Sequence, residues 1–166
     1  MNGHDLGTDR SRVDALVAEL EAARSDVLAR LDAFPPAALT SAGLVGTWSG
    51  RALIAHLGYW AGHAVEVIHA VEDGRADEVG VDEPPTDDVN ATVARVAEDT
   101  DLATVRRREA ASVDALVERL HRLDPRLLDT RLPDGATLDE AIREDGSAHY
   151  REHAEDLAAG PNGAAS

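Results

Sequence analysis

The chain has 166 residues, 43% of them hydrophobic, a length that suits one domain and a content sufficient for a single core. Its formal net charge is −16, from 16 basic and 32 acidic residues, a field that repels phosphate backbones and anionic lipid and argues against nucleic acid or a membrane as partner. The absence of cysteine removes disulfides, thiolate metal ligands and a cysteine nucleophile together, so any metal site must be built from His, Asp and Glu.

One Phe, two Tyr and two Trp leave the core to Ala, Leu and Val, which favours helices over sheets. The opening Met1-Asn2-Gly3-His4-Asp5 has no basic leader, and no apolar run approaches a signal or membrane-spanning length, so a cytoplasmic location is expected. Helix one is predicted over about residues 11–32, with Val13, Leu16, Val17, Leu20, Ala23, Val27, Leu28 and Leu31 on one apolar stripe, and Pro35-Pro36 ends it. Helix two follows Trp48 with Ser49 as N-cap, carries Leu53, Ile54, Leu57, Trp60, Ala61, Val65 and Ile68, and closes at Gly74.

After a loop through Pro84-Pro85, a third helical region begins near Thr86 with Val89, Val93 and Val96 on one side. It breaks or kinks around residues 99–101, then resumes with Leu102, Val105, Val113, Leu116, Val117 and Leu120 on a common face. Asp124-Pro125 reads as a cap and a short turn, and Leu132-Pro133-Asp134-Gly135 as a loop. Thr137 to Glu140 forms a capping box, opening a fourth helix that runs to the stop at Gly160-Pro161. No segment reads as a strand. Amphipathic helices with one stripe each bury those stripes most simply against one another, which predicts an all-α four-helix bundle.

His149 and His153 lie four residues apart on helix four, so both rings project from one face. Leu138, Ile142, Asp145, His149, His153 and Asp156 advance by three or four residues per step, which continues the buried stripe through the histidines. On helix two, Leu53, His56, Trp60 and His63 advance the same way and turn His56 inward. A third imidazole from a facing helix, added to an i, i+4 pair, gives a three-ligand site with one open position, the pattern of a catalytic metal. Hydrogen bonding within the core is the alternative for any one of these histidines taken alone. Imidazole donors suit a divalent transition metal, Zn first with Ni or Fe (and Cu) also acceptable, better than Mg or Ca. Asp145 and Glu152 are candidates to orient a ligand or act as base, although a solvated surface position is the ordinary one for each. Trp60 and Tyr59 are candidates for a pocket wall, and His63 for the lining of the same cavity. His4, His69 and His121 fit surface positions, and Arg106-Arg107-Arg108 fits a solvated helix face.

Two segments resemble a known family. The run from Trp48 through His56 to Trp60 is similar to the helix-two signature of the DinB-like metal-binding four-helix bundles, and the run from His149 to Leu157 is similar to their closing helix. Asp88-Val89-Asn90 resembles the start of their third helix. The resemblance implies one domain over residues 9–159, flanked by flexible tails at 1–8 and 160–166, with up-down-down-up topology. It also implies one divalent metal on His56, His149 and His153, and often a homodimer. Relatives include transferases and isomerases that use a low-molecular-weight thiol such as mycothiol or bacillithiol, and others that act in protection against reactive natural products. In the maleylpyruvate isomerase branch a carboxylate stands at the position of His149, which argues against that substrate here.

Three functions are consistent with the sequence. The first is a metal-dependent transferase in which mycothiol, the thiol expected from an Arg-rich, Lys-free chain of high-GC character, attacks a small electrophile. The second is a hydrolase or detoxifying protein in which metal-bound water is the nucleophile and Glu152 or Asp145 the base. The third is a non-enzymatic bundle that binds a small molecule or a partner.

Overall fold

In the computed structural model, residues 3–160 are described, with side chains from Arg10 onward. Helix α1, Gly3–Asp32, starts earlier than its apolar stripe predicts, and that stripe is buried throughout except for the half-buried Leu28. A single turn, α2, Pro36–Leu39, follows the proline pair. Helix α3, Gly50–Glu72, begins where Ser49 Oγ accepts from the Ala52 amide and ends before Gly74, whose φ of 73° no β-carbon favours. Helices α4, Thr86–Glu98, and α5, Leu102–Arg122, are separate elements. The capping box of Thr137 and Glu140 is formed and opens α6, Leu138–Arg143. Among the described residues there is no strand, only isolated bridges between Val45 and Trp48 and between Arg131 and Thr137. The tail expected at 160–166 lies outside the described residues beyond Gly160.

Long-range polar contacts give the directions of the helices. Arg10, early in α1, donates to the His121 carbonyl at the end of α5 (2.9 Å), while Asp32, closing α1, accepts from Arg106 near the start of α5 (2.8 Å). These two helices are therefore antiparallel. Arg51 at the start of α3 donates to the Thr100 carbonyl just before α5 (3.1 Å), and Glu72 at its end pairs with Arg119, so α3 and α5 are parallel. Arg12 pairs with Asp139 (3.1 Å) and Glu19 with Arg143, which sets the final helical segment along α1. The bundle of α1, α3, α5 and the final segment is up-down-down-up.

Of the break or kink expected at residues 99–101, the structure has the break, and it is a complete reversal. Thr100 Oγ1 donates to the Val96 carbonyl and ends α4, and Asp101 accepts from the Thr104 amide and starts α5, so each helix is closed by its own side chain. Helix α4 therefore runs back along α3, with Asn90 at Trp60 and Glu98 at Ser49 and Arg51. The valines predicted to form its apolar face are not core: Ala97 is its buried residue and Val96 is exposed.

The fourth helix is not continuous either. A π-turn, Glu144–Ala148, separates α6 from α7, His149–Ala159, with Gly146 at φ −107° and ψ −109°. The interruption turns Asp145 and Ser147 into the interior, against the surface position expected for Asp145. Beneath α7 the core contains a polar node. Glu109 is buried, is held by a two-pronged pair with Arg24 (2.7 Å each) and accepts from the Tyr150 hydroxyl (2.6 Å), tying α1, α5 and α7 together. Burial beside Glu109 pushes the Tyr150 hydroxyl up, so it stays a donor. Gly58 lets α3 approach at this level, since a Cβ there would lie 2.8 Å from Glu109 Cα.

Candidate metal centre

The three inward histidines meet. His56 from α3 and His149 and His153 from α7 each place one ring nitrogen within 4.8 Å of the others. His56 Nε2 faces His149 Nε2 at 2.5 Å, and the three ring centroids are 4.6, 5.1 and 5.0 Å apart. The spacing works because positions 149 and 153 are one turn apart on α7, opposite the first two turns of α3.

The protonation states suit a cation. Burial, and then the neighbouring imidazoles, lower His56 to about 3, and burial followed by His153 lowers His149 to about 4. Both rings are therefore neutral at pH 7, the form that ligates. His153 Nδ1 is bonded to Asp156 Oδ2 at 2.9 Å, which places the proton on Nδ1 and leaves the Nε2 lone pair available. His56 Nδ1 is buried with no hydrogen-bond partner, while its Nε2 faces His149 Nε2. Three imidazole nitrogen donors, one with a carboxylate behind it, fit a divalent transition metal and leave room for an exogenous ligand.

Aromatic rings enclose the cluster. Trp48 lies 4.7 Å from the His56 ring and 6.5 Å from that of His153, and Trp60 stacks on His149 at 6.2 Å with 24° between planes. The Trp60 indole donates to Asn90 Oδ1 at 3.1 Å, so α4 fixes this wall. The role of Trp48 was not read from the sequence, because it precedes the N-cap and belongs to no helical stripe. Its neighbourhood to the N-cap of the histidine-bearing helix was the available signal.

The other site candidates separate. Tyr59 is exposed and lines a cavity of about 290 Å³ between α3, α4 and α5, on a different side of α3. Glu152 is exposed and makes no hydrogen bond to the cluster. His63 does not join the three rings. Its Nδ1 bonds Asp145 Oδ2 at 2.7 Å, and its Nε2 has the Glu83 carboxylate 3.5 Å away. Asp145 is accordingly the partner of His63 and not of His149. The hydrogen bond to Asp145 holds the His63 imidazole above its ordinary range despite burial. Among the remaining histidines, His121 is exposed, His69 is half-buried and neither joins the cluster, while the side chain of His4 lies outside the described residues. Arg106 and Arg107 are occupied by Asp32 and Thr104.

Comparison with known proteins agrees with this architecture. No curated protein matches the chain. The crystal structure of an uncharacterised protein from Escherichia coli UTI89 is similar over 88% of this chain and 90% of its own, with a TM-score of 0.69 and 15% identity, a likeness of fold. A sequence model of the DinB superfamily matches residues 19–156, a span that holds all three histidines of the cluster, and the chain belongs to that superfamily.

Proposed function

We propose that the protein is a divalent-metal-dependent transferase that joins a low-molecular-weight thiol, mycothiol being the leading candidate, to a small electrophile. The observation that carries this reading is the convergence of three imidazoles, His56, His149 and His153, two of them held neutral by burial, at the end of the bundle. Zinc fits the donor set best. When bound, the cation would lower the pKa of a thiol and hold it as thiolate at neutral pH. The chain has no cysteine, so the sulfur nucleophile must arrive with a cofactor.

The chain's own residues supply the remainder. Asp156 orients His153, and Trp48 and Trp60 pack against the rings of the cluster. A small molecule is the partner that suits the net charge of −16, and none of the described helices is long and apolar enough to cross a membrane. A hydrolytic reading has one observation in its favour, the His63–Asp145 pair, which has the composition of an acid–base dyad.

The test uses metal-loaded protein purified without a histidine tag and a panel of electrophiles, with and without mycothiol. Turnover that requires the thiol is expected. Turnover at the same rate without it would replace the transferase by the hydrolase.

A further inference from the structure

On α3, His56, Trp60 and His63 follow one another on a single face, and opposite them stand Asp145, His149 and His153. The two rows form one seam. Its first half is the ring cluster, and its second half is the His63–Asp145 pair, with the Trp60 ring between them at 6.2 Å from His149 and 5.2 Å from His63. The second half opens on a cavity of about 570 Å³, with Val67, Val79, Val81, Leu132 and Pro133 on an apolar side and His63 and Asp145 among its polar lining. That volume suits a small organic molecule.

The pair is built at a cost. Asp145 is 9% exposed, and it is turned inward by a π-turn, an irregularity that concentrates at functional sites. With Nδ1 committed to Asp145, the Nε2 edge of His63 has no nearer partner than the half-exposed Glu83 at 3.5 Å, and both residues line the cavity. Two carboxylates beside one imidazole favour its protonated form, and a protonated ring whose Nε2–H is met by the half-exposed Glu83 carboxylate at 3.5 Å keeps a proton it can donate.

We propose that His63 is the general acid for an electrophile held in this cavity, with Asp145 as its positioning residue; the inference rests on the transferase reading above. In the overall step R–SH + R′–X gives R–S–R′ + H–X. The S–C bond forms as the C–X bond breaks, and X leaves with the proton from His63 Nε2. The proton of the thiol passes to solvent, from which His63 regains one. Asp145 keeps the ring oriented and charged through Nδ1.

The experiment pairs wild type with His63→Gln, both zinc-loaded, using mycothiol and aryl acetates whose leaving groups run from 4-nitrophenolate to phenolate. Loss of a general acid slows the poor leaving group by about 100-fold and the good one by less than about 5-fold. Uniform slowing across the series would make His63 structural and overturn the inference while leaving the transferase standing. Absence of thiol-dependent turnover by wild type would remove both. Nitrogen-15 spectra of the imidazoles at pH 7 give a readout independent of turnover. His63 is expected as imidazolium in wild type, neutral in Asp145→Asn, and imidazolium again in Asp145→Glu. A neutral His63 in wild type would overturn the inference.

Discussion

At the scale of single residues, the clustered histidines were legible because imidazoles at spacing four, on a stripe that also carries Leu138 and Ile142, have one direction to point. Their supporting side chains were less so. Asp156 lay on the same stripe, but its bond to His153 depends on rotamers that spacing does not fix. That bond predicts that Asp156→Asn weakens metal affinity about 10- to 100-fold with the three ligands intact, measured by competition against a chelator. Glu109 was missed although it falls in phase between Val105 and Val113, where a buried charge signals a partner on another helix. Removing it as Glu109→Ala strands Arg24 and the Tyr150 hydroxyl, and chemical denaturation is expected to show a loss of about 3–5 kcal/mol. A loss below about 1 kcal/mol would mean that the node is not stabilising.

At the scale of elements, caps and prolines placed the helix boundaries well, because each acts locally through one side chain or one missing N–H. What lay beyond reach was geometry between elements. Residues 99–101 announce a break, but whether the chain bends or reverses is decided by the packing of α4 on α3 through Trp60, Ser49 and Arg51. The π-turn was likewise hidden, because a stripe advancing by three or four residues accommodates Asp145 whether or not the helix slips at Gly146. The contact of α3 with α5 gives an element-scale prediction. Gly58→Ala puts a methyl group 2.8 Å from the Glu109 backbone, which cannot swing aside. The helices must separate, with a cost of about 1–3 kcal/mol in thermal or urea unfolding and, through displacement of His56, weaker metal binding. A variant as stable as wild type would show that α3 and α5 are not in close contact at this point.

At the scale of the molecule, fold class followed from composition and periodicity, and the convergence of His56 with His149 and His153 was expected from their inward-facing stripes and from the family resemblance. The way the site is divided did not follow, because placing His63 beside Asp145 required the π-turn. The histidines also link the site to global stability. His56 at about 3 and His149 at about 4 lie below the 6.5 of a free imidazole, so between those values the unfolded chain binds protons that the folded chain refuses. Their contribution is complete above about pH 6.5 and is lost as pH falls through the window toward 4 and 3. In metal-free protein the urea midpoint is therefore expected to drop between pH 7 and 5, and to drop less in His56→Ala; equal slopes would contradict the buried neutral rings.

The most direct test of the metal centre is a titration of untagged, metal-stripped protein with zinc, followed by elemental analysis after gel filtration. One equivalent per chain is predicted for wild type, falling to well below one in His56→Ala, His149→Ala and His153→Ala while helical circular dichroism is retained. A wild-type protein that retains no zinc, or variants that retain as much as wild type, would contradict it.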